Sequence, residues 1–236
     1  MSALSRSLVA VSLAAALTVA GARATPASAD GPTGARPSAR VATSTTSVVL
    51  STTRSAYGQT VTATAAVATS TGRADGDVYV SVDGVASKVN LSATGSATVV
   101  LPDAPVGDHA VTATFVPQFP VDQQGSTSPA QAWTVGQVRT RLFVDVQGRG
   151  LRIPTVVRVE AGGEYGSTPT GRVTITLERI GTGRTTVRTK VLPREGVVEA
   201  RYGRLPRGGY RSVVTYAGDA EHLPEKRVQR FRVRQR

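Results

Sequence analysis

The chain has no cysteine, and its 236 residues include only two histidines, one tryptophan and one methionine. Without a thiol it can close no disulfide, bind no zinc through sulfur and carry out no thiol or redox chemistry. The two histidines, His109 and His222, fall in different halves of the sequence. Neither stands beside a nucleophile-elbow pattern, so a Ser/His/carboxylate hydrolase is not expected. Aromatic residues are 5% of the chain, so a core must be built mainly from Val, Leu, Ile and Ala. Beyond the N-terminal segment there is no long amphipathic helical pattern. Nor does any later stretch reach the roughly 18 consecutive apolar residues that a membrane-spanning helix needs.

What is present is Val and Thr in quantity, with 24 Gly and 13 Pro. Val and Thr suit pleated strands, and Gly and Pro punctuate them. The N-terminus is different in kind. Arg6 supplies a small positive charge, an Ala-rich apolar run extends from Leu8 to Ala22, and Ala27-Ser28-Ala29 gives a small-residue cleavage pattern. Residues 1–29 are therefore expected to be a signal peptide, with the mature protein starting at Asp30; a retained membrane anchor is the competing reading. No cysteine follows for lipid attachment. Residues 30–42, rich in Pro, Gly, Ala and Arg, read as a flexible leader.

Two series of short alternating segments follow. The first, over 43–136, includes Val61/Ala63/Ala65/Val67, Val78/Val80/Val82 before an Asp83-Gly84 turn, Ala97/Val99/Leu101, Ala110–Phe115 and Ala130–Val135. The second, over 137–236, includes Leu142/Val144/Val146, Val157/Val159/Ala161, Val173/Ile175/Leu177, Val197–Tyr202, Tyr210–Tyr216 and Val228–Val233. The two align as a repeat. Gly76-Asp77-Val78 corresponds to Gly171-Arg172-Val173, and Pro105…His109 to Pro206…Tyr210. The offset grows from 95 to 101 between these blocks, so the second copy has the longer central hairpin. Seven short strands per ~100 residues with frequent turn signals predict an all-β fold of two tandem sandwiches, with small closed barrels as the structural competitor.

Each copy resembles the bacterial Ig-like repeat of exported and surface proteins. The matching residues are Thr45-Thr46 and Tyr57-Gly58-Gln59 in the first copy, and Gly76 to Val78 and Gly171 to Val173 in both. Leu205-Pro206-Arg207-Gly208 and Tyr216-Ala217-Gly218-Asp219 match in the second copy; the first has Phe115-Val116-Pro117 instead of the latter. The resemblance implies two Ig-like domains, 43–136 and 137–236. Its motifs are turn and strand punctuation, so they speak to fold and not to function.

Individual residues carry little chemistry. Asp75, Asp77 and Asp83 cluster, but Asp75-Gly76 and Asp83-Gly84 read as turns and not as calcium ligands. Asp219 with Glu221 reads the same way. Asn90-Leu91-Ser92 is a glycosylation sequon by chance, inside a predicted strand. Trp133, in the last strand of the first copy, is expected in the core. No cofactor or metal is expected.

Charge is the unusual feature. Residues 41–136 hold three basic and six acidic residues; residues 137–236 hold 21 basic and nine acidic ones. In the last strand, Phe231 and Val233 share one parity and Arg230, Arg232, Arg234 and Arg236 the other, which predicts an outward row of guanidinium groups. Arg139 and Arg141, on the outward parity of the copy's first strand, are expected to extend that row. These six arginines are the candidate contacts to a polyanion. The expected protein is a monomeric, non-enzymatic structural or adhesive protein of the envelope or exterior. The first domain would be a spacer and the second would contact an anionic envelope polymer or acidic glycan. A dedicated receptor for one anionic polysaccharide is the alternative, and a protein partner stays open. Nothing points to specific nucleic-acid recognition.

Overall fold

The computed structural model describes residues 40–234. The expected signal peptide, its cleavage site, almost all of the leader and Arg236 lie outside the described residues. Every regular element within them is a β-strand.

The first half builds β1 (Ser44–Leu50), β2 (Arg54–Ala56), β3 (Thr62–Thr69), β4 (Gly76–Val82), β5 (Val85–Asn90), β6 (Ser96–Val100), β7 (Gly107–Pro117), β8 (Ser126–Thr127) and β9 (Gln131–Gly136). One sheet has the order β1-β3-β6; the other runs β2-β9-β7-β4-β5, with β8 on β7. The second half builds β10 (Thr140–Gln147), β11 (Thr155–Gly163), β12 (Arg172–Arg179), β13 (Thr185–Val191), β14 (Val197–Gly203), β15 (Gly208–Tyr216) and β16 (Glu225–Val233). Its sheets are β10-β11-β14 and β13-β12-β15-β16. Strand by strand the two halves share one order, so the sequence repeat is also a topological one. Each half is an Ig-like sandwich of two sheets.

Alternation drives the packing. Along β3, Ala63, Ala65 and Val67 are buried while Thr64 and Ala66 are exposed, as successive side chains on a strand must alternate faces. The first core gathers these with Val78, Val80, Val111, Phe115 and Trp133. The second gathers Val157, Val159, Val173, Ile175, Val214, Tyr216 and Phe231. A fully buried Val contributes roughly 1.5–3 kcal/mol. That is comparable with the roughly 2–4 kcal/mol of a disulfide, so two or three well-buried Val offset the missing cross-link.

The aligned Pro105…His109 and Pro206…Tyr210 segments explain each other. The Tyr210 hydroxyl donates to the Pro206 carbonyl at 2.8 Å, the tyrosine corner of Ig-like sandwiches. In the first half His109 takes that place, with Nε2 2.8 Å from the Pro105 carbonyl. Both residues open the strand equivalent to F, β7 or β15. One histidine is thereby accounted for structurally.

The halves differ at one edge. In the first, β2 pairs in parallel with β9 through Arg54↔Thr134, Ser55↔Val135 and Ala56↔Gly136, covering that edge. In the second, the equivalent contact is the single bridge Gly150↔Arg234. The outer edge of β16 is therefore largely unpaired, although β10 runs alongside it.

Candidate polyanion-contacting surface

β16 has the expected alternation. Phe231 and Val233 are buried, and Arg230, Arg232 and the following Arg234 are exposed. Ladder pairing with β15 sets Arg230 opposite Arg211 and Arg232 opposite Gly209. Two like charges face each other at the first pair, an unfavourable arrangement on its own. Glu178 on β12 relieves it, because Arg211 Nε donates to Glu178 Oε2 at 2.9 Å.

Arg139 and Arg141 are exposed but do not extend this row. Arg141 lies at the start of β10 and Arg139 just before it; β10 pairs with β11 in the three-stranded sheet, whereas β16 belongs to the four-stranded one. Outward side chains of two sheets packed face to face point away from each other. Arg141 is also engaged, with Nη2 3.2 Å from Glu164 Oε1. Parity identified both residues as outward-facing; it carries no information about sheet membership.

Asp77 and Asp83, two of the clustered acidic residues of the first half, have local structural partners. Asp77 pairs with Lys88 at 2.8 Å. Asp83 sits at φ 50° in the β4–β5 turn, and its carboxylate accepts from the Ala110 amide at 2.9 Å and lies 2.6 Å from His109 Nδ1. The His109 bond holds the Asp83 carboxyl below its ordinary range, helped by the Ala110 amide. Burial works against a charged His109, but the bonds to Asp83 and Pro105 outweigh it and raise its pKa. Trp133 is in the core, with Nε1 donating to Ser55 Oγ at 3.0 Å.

One arrangement was not legible in sequence. Ser167 Oγ lies 2.9 Å from His222 Nε2, and His222 Nδ1 lies 2.9 Å from Asp219 Oδ1. Thus a serine, a histidine and a carboxylate do meet, in the order of a nucleophilic triad. The carboxylate, however, is committed to holding loops. Asp219 accepts from the amides of Thr170, Glu221 and His222 and from the Thr170 hydroxyl. Burial would raise its pKa; these bonds dominate and hold it well below the usual carboxylate range. The same saturation argues against a cation, although Asp219, Glu221 and His222 bring ligand atoms within 4.8 Å of one another. His222 is 1% exposed and the Tyr57 ring packs edge-on against it at 5.9 Å. In sequence Asp219 closes the Tyr216-x-Gly-Asp motif and His222 stands three residues on, whereas Ser167 is 55 residues from His222.

The sequence matches no protein-family model and no curated protein. Solved structures give remote likenesses. A tetra-tandem repeat from the extending region of a large adhesion protein is 14% identical with a TM-score of 0.41, over 80% of this chain and 50% of that one. The Yersinia pseudotuberculosis adhesin InvE is 16% identical with a TM-score of 0.40, over 79% and 58%. The fibronectin(III)-like modules of Clostridium thermocellum CbhA are 16% identical with a TM-score of 0.31, over 80% and 94%. The chain thus spans about half the length of the first of these. The fold assignment stands on this chain's own sheets and register.

Proposed function

We propose that the chain is an exported, non-enzymatic, adhesive Ig-like repeat protein of the bacterial envelope or exterior. Residues 1–29 direct export and are removed. The domain over 43–136 is a spacer, and the basic domain over 137–236 contacts an anionic envelope or extracellular polymer.

The carrying observation is that two domains of one topology differ so sharply in charge, with three basic and six acidic residues over 41–136 against 21 and nine over 137–236. Shared architecture does not require this, and general solubility would not segregate it. Among the described residues, the only Arg or Lys of the second domain that pair with a carboxylate are Arg141, Arg201 and Arg211. The remaining positive groups are available to a partner, and attraction to a polyanion should fall as salt screens it.

The purified protein is expected to sediment with isolated bacterial envelope at low ionic strength and to be released as sodium chloride is raised. Failure to sediment, or retention that ignores salt, would count against the reading.

A further inference from the structure

The second domain is polar along its length. Register places several segments at one end. Arg179 at the end of β12 pairs with Tyr210 near the start of β15, and Gly208 pairs with Val233 at the end of β16. The start of β11 pairs with the end of β14, Thr155 with Gly203, and the β10–β11 connection bridges to Arg234 through Gly150. This end is therefore formed by the connections 148–154, 180–184 and 204–207 and by the end of β16. Those segments hold no Asp or Glu. They carry Arg149, Arg152, Arg184, Arg204, Arg207, Arg232 and Arg234, all exposed. The opposite end, where the chain enters from the first domain, carries Glu164, Glu195, Asp219, Glu221 and Glu225 alongside Arg139, Arg172 and Arg194 in its connections and strand starts.

The arginine end also has shape. One open depression is lined by Arg207, Gly208, Gly209, Arg232, Val233 and Arg234. A second is lined by Gly148, Arg149, Gly150, Ile153, Arg232 and Arg234. Arg232 and Arg234 line both, so the two depressions adjoin and together make the trough. Among the described residues none of its arginines is in an ion pair. Two backbone carbonyls fix neighbouring guanidinium groups: Arg149 Nε donates to Val146 O at 2.8 Å and Arg179 Nη2 to Arg207 O at 3.0 Å.

We infer that this end of the second domain is the contact site, and that it takes a linear phosphodiester polymer of the polyol-phosphate kind. The inference rests on the proposed function and specifies its site and ligand. Guanidinium groups bind phosphate oxygens in pairs of parallel hydrogen bonds, with a geometry that lysine cannot reproduce. The exposed large aromatics of the described residues, Phe119, Phe143 and Tyr165, all lie away from the trough. It therefore offers no ring on which a sugar or a base would stack. A flexible chain of phosphates needs no such platform and can lie along an open trough.

The test uses full-length protein and two triple variants with the same loss of charge. Arg207→Gln/Arg232→Gln/Arg234→Gln removes three of the trough's four arginines. Arg158→Gln/Arg194→Gln/Lys226→Gln removes three exposed charges elsewhere. Thermal unfolding first confirms that both fold as the parent does. Binding is then measured to poly(glycerol phosphate), to polygalacturonate and to single-stranded DNA at fixed ionic strength. The trough variant should bind poly(glycerol phosphate) about tenfold more weakly and the other variant within about twofold of the parent, since exposed charge pairs are individually weak and act together. Equal weakening in both variants would overturn the site. Equal or tighter parental binding to polygalacturonate or DNA would overturn the ligand class. Both results leave the proposed function standing. A parent that binds none of the three polymers and does not sediment with envelope would remove the proposed function and this inference together.

Discussion

At the residue scale, the two histidines serve two different structural needs. His109 stands where the second domain has a tyrosine, and its bond to Asp83 makes that corner sensitive to pH. Its folded pKa is raised, so its contribution is complete below the unfolded value near 6.5 and is lost as pH rises through the folded one. The Asp83 pKa is lowered, so its contribution is present above the unfolded value near 3.9 and is lost as pH falls through the folded one. The difference in thermal midpoint between the parent and Asp83→Asn should therefore be largest between roughly pH 5 and 6 and shrink toward pH 9. Asparagine tolerates the positive φ at this turn, so the backbone conformation is kept. A difference that grows with alkaline pH would reverse the sign.

His222 belongs to a loop tie. Asp219→Asn places an amide where Asp219 Oδ2 now accepts from the Thr170 amide and hydroxyl, and should cost about 1–3 kcal/mol by chemical denaturation. Ser167→Ala should cost about 1 kcal/mol or less. If the chain is structural, a fluorophosphonate probe will not label it. Covalent labelling at Ser167, abolished by His222→Gln, would contradict the non-enzymatic reading.

At the scale of elements, strand identity was legible because alternation is local. The buried and exposed parities of β3 and β16 follow directly from the sequence of Ala, Val, Thr and Arg. What parity does not contain is sheet membership, which is why Arg139 and Arg141 were expected beside Arg230. Nor does it contain loop convergence, because the arginine end assembles from four segments that only antiparallel register brings together. The Ser167–His222 contact was hidden for the same reason. Turn glycines lie between these cases. Gly196 at φ 67° would place a Cβ 2.5 Å from the Ala161 carbonyl, and its counterpart Gly95 at φ 72° would place one 2.7 Å from the Val67 carbonyl. Gly166 at φ 85° has nothing within 4 Å. Gly166→Ala should then cost only the left-handed backbone penalty of about 1–2 kcal/mol, and Gly196→Ala clearly more, measured by denaturant midpoint. Equal costs would mean that the close approach is relaxed at no expense. The largely unpaired edge of β16 gives Arg230 and Arg232 a second role, since charged side chains keep an edge strand from pairing with another chain. Arg230→Ser/Arg232→Ser should increase self-association, seen by analytical ultracentrifugation.

At the scale of the whole molecule, the connection between the sandwiches is short and tied on both sides. Only Gln137 separates β9 from Val138. The Tyr57 amide donates to the Gly136 carbonyl at 2.9 Å, and the Val138 amide to the Glu221 carbonyl at 2.8 Å. Gln137 Nε2 donates to the Asp219 carbonyl at 2.8 Å. Such a joint favours a spacer that transmits position over a tether that lets its ends wander. Small-angle scattering of the mature protein should fit one inter-domain arrangement, and a broad ensemble of distances would contradict this.

The division of labour between the two domains is the central claim, and amide hydrogen exchange of the full chain with and without poly(glycerol phosphate) tests it most directly. Protection is predicted in the second domain, at 148–154, 204–207 and the end of β16, and should vanish at high salt. Protection centred on the first domain, or salt-resistant protection spread over both, would contradict it.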